Sequence, residues 1–239
     1  MRFETVTRTD VGRRRHINED AFLARPEKGL WAVADGMGGH DVGDVASALV
    51  VELLDGCNNE PNLDERARAL GAALRDANAR LLSMAQAGGG NRTIGTTVVV
   101  LAADSARFIC LWAGDSRAYL LREGNLDQIT RDHSLVQELI DAGEIAPAEA
   151  DRHPNANVIT RAVGSETRLE IDRVAGAVAS GDAFMLTSDG LTRLVSDDAI
   201  LAALQAPDLE TEADRLLAEC LARGAPDNVT FVILRARPD

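Results

Sequence analysis

The chain has 239 residues, 46% of them hydrophobic, which is enough apolar material for a sizeable core in one large domain or two small ones. Aromatic residues make up only 3%, so that core is aliphatic. Asp and Glu number 38 against 25 Lys and Arg, a formal charge of −13, and a surface with that excess repels phosphate backbones and anionic lipid, which excludes nucleic acid and membranes as expected partners.

In chain order, residues 2–9 (RFETVTRT) alternate like a strand, residues 21–26 (AFLARP) form a short apolar run, and residues 30–35 (LWAVAD) form a buried one. Asp41 is the expected N-cap of a helix through VGDVASALVVELLD, with Val45, Leu49 and Leu53 at helical spacing. A long helix follows over residues 62–86, with Leu63, Ala67, Leu70, Leu74, Ala77 and Leu81 as its apolar stripe and Met84 extending it. Residues 95–130 then show four strand-like runs joined by Ala-Asp-Ser, Gly-Asp-Ser and Glu-Gly-Asn, connections short enough to predict antiparallel neighbours. Residues 143–164 read as an inserted flap, the kind of connection that carries substrate contacts. Strands resume at LEIDRVAGAV, FMLTSD and VTFVILRA, separated by two amphipathic helices, DDAILAALQ and LETEADRLLAECLAR. Antiparallel sheet with helices in separate blocks implies an α+β layered domain, two sheets packed together and helix pairs outside.

No linker, low-complexity tract or repeat interrupts this pattern, so a single domain, 1–239, is expected. The start MRFETVTRTD has no signal-peptide core, and no run approaches the ~18 apolar residues of a bilayer span, so a soluble, cytoplasmic protein is expected. Cys57, Cys110 and Cys220 have no metal-type spacing and read as reduced thiols, Cys110 as a small buried hydrophobe.

Four acids stand at the ends of apolar runs: Asp35 after WAVA, Asp115 after CLWAG, Asp189 after FMLTS, and Asp227 before VTFVIL. A single Asp-Gly is ordinarily a turn. Four such acids, if their strand ends converge, repel one another where water is scarce, and cations must cancel that repulsion. The donors are all oxygen, which favours Mn²⁺ or Mg²⁺ over Zn²⁺ or copper.

Taken together, TDVGRRRHINEDAF, VADGMGGHDVGDVAS, GTTVVVL, WAGDSRAYLLREG, ITRDHSLV, ITRAVG, SGDAFMLTSDGL and GAPDNVTFVIL resemble, in order and over nearly the whole chain, the motifs of the bacterial metal-dependent type 2C protein serine/threonine phosphatases. That resemblance implies a four-layer α-β-β-α sandwich. It implies that Asp35 bridges two metal ions, that the Gly36 carbonyl is a ligand of the second, and that Asp189 and Asp227 complete the first. Asp115 matches the residue that, with Asp189, holds a third ion. Glu19 and Asp20 resemble acids that orient metal-held waters, and Arg15 matches the phosphate-clamping arginine, whose planar guanidinium fits two phosphate oxygens. Apart from the resemblance, Arg15 also reads as one more solvated residue of the run Arg13, Arg14 and Arg15.

The implied reaction is direct hydrolysis of phosphoserine or phosphothreonine by a water that two divalent ions activate. One branch of the family has His directly after Asp-Gly as the proposed general acid, whereas this chain has Met37. His40, His133, His153 and a water on a metal ion are the remaining candidates. The implied partners are phosphorylated proteins, a Ser/Thr kinase and its targets, with the chain itself expected to be a monomer. A different class, a pseudophosphatase that binds phosphoproteins without turnover, is the alternative. The four acids argue against it.

Overall fold

The computed structural model describes residues 1–38, 42–57, 60, 62–87 and 93–238, apart from the side chain of Asp151. Two antiparallel sheets form its centre. The first runs in the order β1 (Arg2–Asp10), β11 (Val229–Arg237), β10 (Ala183–Thr187), β7 (Arg117–Arg122), β8 (Asn125–Gln128); the second runs β2 (Asp20–Arg25), β3 (Leu30–Gly38), β5 (Val98–Ala103), β6 (Arg107–Ala113), β9 (Asp172–Ala177), with β4 (Ile94–Thr96) on the far end of β3. Helices α1 (Gly43–Asp55) and α2 (Leu63–Ala87) cover the second sheet, and α5 (Asp197–Gln205) and α6 (Leu209–Ala222) cover the first. Two shorter helices, α3 (Leu135–Asp141) and α4 (Asp189–Thr192), lie in connections. The expected four-layer sandwich is the one observed.

The strands read as continuous apolar runs because both faces are buried, and each side chain joins one of two cores by period-two alternation. On β3, Leu30, Ala32 and Ala34 pack under α1 and α2, while Trp31 and Val33 point between the sheets. On β10, Ala183 and Met185 pack under α5 and α6, while Phe184 and Leu186 meet Trp31 and Val33 in the middle layer. The α2 stripe is buried as expected at Leu63, Ala67, Leu70, Leu74, Ala77 and Leu81, but Met84 is exposed and does not extend it. Leu74 has no exposed surface. Leu74→Ala is expected to cost about 2–5 kcal/mol of stability, read as a lower urea midpoint with unchanged slope.

Three local expectations differ from the structure. In α1 the buried face is Ala46, Ser47, Val50 and Leu54; Val45 is exposed, and Leu49 and Leu53 pack only at the margin. The segment ALVVELL is apolar over so wide an arc that its sequence leaves the phase open, and the small Ala46 and Ser47 decide it by letting the helix lie close to the sheet. The expected N-cap, Asp41, lies outside the described residues, and the N-cap position is Val42, with no side-chain cap bond. The helix begins at Gly43, whose N–H donates to Glu19 Oε1 at 3.1 Å, so an acid from another part of the chain sits on its positive end.

The third difference bears on the site. Residues 114–116 do not close a hairpin: β6 pairs with β5 and β9, while β7 pairs with β10 and β8. The Gly-Asp-Ser connection carries the chain from one sheet to the other, so Asp115 stands where the two sheets meet.

Candidate metal centre

Asp35 does not end its strand. β3 continues to Gly38 by pairing with β4, and alternation puts Asp35 on the same face as Trp31 and Val33, towards the opposite sheet. Its backbone is held on both sides: its N–H donates to Thr97 Oγ1 at 3.3 Å, and its carbonyl accepts from Thr97 N and Thr96 Oγ1, both at 2.9 Å. Thr97 Oγ1 in turn lies 2.6 Å from Ser116 Oγ, which ties Asp35 to the sheet-crossing turn that carries Asp115. Asp20, directly opposite Asp35 in the β2–β3 register, shares its face and accepts from Ser188 Oγ of the other sheet at 2.8 Å.

Asp189 opens α4 immediately after β10, and Asp227 immediately precedes β11. They come together because α4 lies flat against the 227–228 turn. A Cβ on Gly190 would fall 1.8 Å from the Asn228 carbonyl oxygen, so only glycine permits that approach. Gly36 is equally crowded, since a Cβ there would lie 2.1 Å from the Gly43 carbonyl and 2.5 Å from that of Glu19. Asn228 organises the remaining loop. Its Oδ1 accepts from Glu19 N, and its Nδ2 donates to the carbonyls of Val11 and Ile17.

One end of the inter-sheet layer thus gathers acids. Burial pushes Asp35 well above the usual carboxylate range, and the charges of Asp20, Asp189, Asp115 and Asp227 push it further. Burial raises Asp20 to about 7 against hydrogen bonds from Thr230 and Ser188, with Asp189 and Asp227 adding to the rise. Asp115 also rises to about 7, by burial and then by Asp189, and burial raises Asp189 against the lowering effect of Arg193. Glu19 is raised by burial as well, opposed by its bond from Gly43 N.

The acids do not close around a single point. Among the described residues no three Asp, Glu, His or Cys side chains meet as one ion-binding group. Arginines partner them singly: Arg15 Nη2 donates to Asp227 Oδ2 at 2.9 Å, and Arg193 Nη2 lies 2.7 Å from Asp189 Oδ2 and 4.0 Å from Asp115 Oδ2. Asp115 Oδ1 is buried with no hydrogen-bond partner. Oxygen-only donors and buried acids whose pKa values are raised by burial and by neighbouring acids are what hard divalent ions relieve, so the residues fit the two core ions, Mn²⁺ or Mg²⁺.

Arg13 and Arg14 are exposed, and Arg15 is exposed at the rim beside Asp227. His40 lies outside the described residues. His133 is buried; its Nδ1 accepts the Gly114 N–H at 3.1 Å, and its Nε2 lies 3.0 Å from Arg161 Nη1 and 3.4 Å from Asp172 Oδ2. Burial, and then Arg161, lowers its pKa, so it is a neutral positioning residue under the sheet-crossing turn. His153 accepts from Asn155 N in the 143–164 segment. Arg193 and Asn228 are functional neighbours that the sequence reading did not single out. Arg193 had a signal, being four residues after Asp189 on a short helix, the spacing at which side chains meet.

Acids thus gather where the two sheets meet, edged by guanidinium groups suited to an anion. The profile of the protein phosphatase 2C family matches residues 12–223. The serine/threonine protein phosphatase PstP of Mycobacterium tuberculosis is 41% identical over 229 residues, 95% of this chain but 44% of that protein, so the chain spans about half the length of this relative. Among solved structures, PppA, described as a key regulatory component of T6SS in Pseudomonas aeruginosa, is 42% identical with a TM-score of 0.91, covering 99% of this chain and 98% of that one. The catalytic domain of PstP in complex with two manganese ions is 38% identical with a TM-score of 0.89, covering 99% of both. The chain belongs to the protein phosphatase 2C family.

Proposed function

We propose that this chain removes phosphate from phosphoserine and phosphothreonine in proteins, in a reaction that depends on divalent cations. The observation that carries the reading is the gathering of Asp20, Asp35, Asp115 and Asp189 at one end of the inter-sheet layer, where Asp20 faces Asp35 across the β2–β3 register and Arg193 lies against Asp115 and Asp189; burial is the first cause that raises the pKa of each. Asp35, the Gly36 carbonyl, Asp189 and Asp227 would hold two core ions, Mn²⁺ or Mg²⁺. Asp115 with Asp189 forms the pair to which the resemblance assigns a third, and Arg193 already lies against that pair. When bound, such ions supply a hydroxide nucleophile near neutral pH and neutralise charge on the phosphoryl oxygens.

The chain's own residues supply the rest. Arg15, paired with Asp227 at the rim, is placed to exchange one acceptor for phosphate oxygens as substrate enters. Glu19 and Asp20 stand behind the ligands, Glu19 on the α1 N-terminus and Asp20 on Ser188, where they accept hydrogen bonds from waters at the centre and orient them. This reading sets His133 aside as the proton donor, because its Nδ1 is occupied by the Gly114 N–H and its Nε2 faces the Arg161 guanidinium. His40, His153 and a water on an ion remain the candidates for protonating the leaving oxygen.

Residues 1–239 act as one catalytic unit in this reading, with residues 143–164 as a flap. The far end of the flap is tied beside the acids through the Thr96–Val163 bridge. A cavity of about 560 Å³ between this segment, Asp115 and Asp189 gives room for residues flanking the phosphorylated one. Among the described residues no helix is long and apolar enough to cross a membrane. The reading takes cytoplasmic phosphoproteins, a Ser/Thr kinase and its targets among them, as substrates and the enzyme as a monomer.

The test is release of phosphate from a phosphothreonine peptide, expected with Mn²⁺ and absent in EDTA. Arg15→Ala is expected to lower kcat/KM roughly a hundredfold while Mn²⁺ uptake by calorimetry is retained. Turnover indifferent to chelation, or none with either metal, would sink the reading.

A further inference from the structure

Arg193 is held at three points. Its backbone N–H donates to the Asp189 carbonyl at 3.0 Å, its Nη2 lies 2.7 Å from Asp189 Oδ2 and 4.0 Å from Asp115 Oδ2, and its Nη1 donates to Asn157 Oδ1 in the 143–164 segment. It is the C-cap of α4, so one short turn fixes it four residues from the acid that it neutralises. Both acids are more deeply buried than the arginine: their side chains are 7% and 17% exposed against 36%. Its guanidinium therefore enters from the rim and ends between them.

We propose that Arg193 is a built-in cation that occupies the place between Asp115 and Asp189 where a third divalent ion would sit, and that it latches the 143–164 segment to that place through Asn157. This rests on the reading of the chain as a two-ion phosphatase. An ion held between Asp115 Oδ2 and Asp189 Oδ2 would compete for the place of Arg193 Nη2, which lies 4.0 and 2.7 Å from those oxygens, and two like charges that close repel strongly where water is scarce. Arginine and a third ion are thus alternatives. Because guanidinium stays protonated at any physiological pH, the latch needs no metal to form. The Asp115 oxygen that lacks a partner is what remains unsatisfied when one guanidinium does the work of a hydrated ion.

Two features follow for the reaction. The third position does not respond to cellular Mn²⁺ or Mg²⁺, and the flap gains a side-chain tether on the catalytic side beyond its backbone ties, Leu135 N to the Val158 carbonyl, Thr160 N to the His133 carbonyl and the Thr96–Val163 bridge. Substrate phosphate, which attracts guanidinium, is the natural competitor for that side-chain tether.

The experiment counts Mn²⁺ bound per chain, by calorimetry and by metal analysis after desalting, in the wild type, Arg193→Ala and Arg193→Gln. Limited proteolysis of residues 143–164 is followed at fixed Mn²⁺. The wild type is expected to take up two ions and no third at millimolar Mn²⁺. Both variants are expected to gain a third, tightened on the order of tenfold or more by loss of the neighbouring charge, and to lose it again when Asp115→Asn is added. Cleavage of the flap should speed up in Arg193→Ala. Gln keeps a donor for Asn157 and most of the side-chain volume, so it remains informative should the alanine variant fold poorly. Three ions in the wild type, or two in both variants, overturn the proposal while leaving the two-ion phosphatase intact. A wild-type chain that takes up no divalent ion overturns both.

Discussion

Asp35→Asn is expected to abolish Mn²⁺-dependent phosphate release and at the same time to raise the melting temperature of the metal-free protein. Asparagine has the same shape and leaves the backbone bonds to Thr96 and Thr97 in place, so β3 and its pairing with β4 should survive. What disappears is the carboxyl group at the focus of the acids, whose ionisation is opposed first by burial and then by Asp20, Asp189, Asp115 and Asp227 together. Losing an ion's contribution removes several kcal/mol of transition-state stabilisation, about a thousandfold in rate. Relieving the repulsion works the other way on the fold, by about 1–2 kcal/mol, or roughly 2–8 °C for a chain of this size. Phosphate release with Mn²⁺ and a thermal scan in EDTA check the two halves separately. Activity within tenfold of wild type would remove Asp35 from the metal centre; a lower melting temperature would mean that its carboxylate stabilises the metal-free fold.

The two halves of that prediction differ in how far the sequence alone reached them. The acid positions, the motif order and the layered α+β architecture are legible because both sheets bury both faces. Apolar runs of strand length interrupted by Asp are then visible without any partner in view. The reason Asp35 lies among acids is not legible in the same way. It depends on alternation carried two residues past the apparent strand end, and β4, which extends that strand, is only three residues long. Residues 114–116 look like a hairpin turn because a short connection implies neighbours in space, yet neighbours in space need not share a sheet. The phase of α1 escaped for a related reason: Val45, Leu49 and Leu53 and the observed Ala46, Val50 and Leu54 have the same spacing, and only the sheet beneath chooses between them. Long-range devices such as Glu19 on the α1 N-terminus or Asn228 bonded to Glu19, Val11 and Ile17 leave almost no local trace.

The metal-free protein is expected to lose stability as pH rises from about 6 to about 8, and Mn²⁺ should reverse that order. Asp20 and Asp115 are raised to about 7 in the fold, whereas in the unfolded chain they titrate near 4. Below pH 4 both states hold the proton and no difference arises. Between about 4 and about 7 the unfolded chain has released protons that the native state still binds, so stability falls with each unit of pH until the native groups ionise too. From pH 6 to pH 8 the two groups together account for about 2–3 kcal/mol, or roughly 5–10 °C. His133 acts in the opposite direction but in a lower window: its pKa is depressed in the fold, so the stability that it contributes is lost as pH falls below the ordinary histidine range. Asp172, held low by Arg161 and His133 despite its burial, matters only in stronger acid. Divalent cations bind the ionised acids and not the protonated ones, so their stabilising effect grows over the same interval in which the metal-free fold weakens. Calorimetric melting temperatures at pH 6 and pH 8, each in EDTA and in saturating Mn²⁺, give the comparison. If the metal-free protein were equally stable at both, the acids would be ionised and solvated rather than buried together, and nothing in this fold would require a cation.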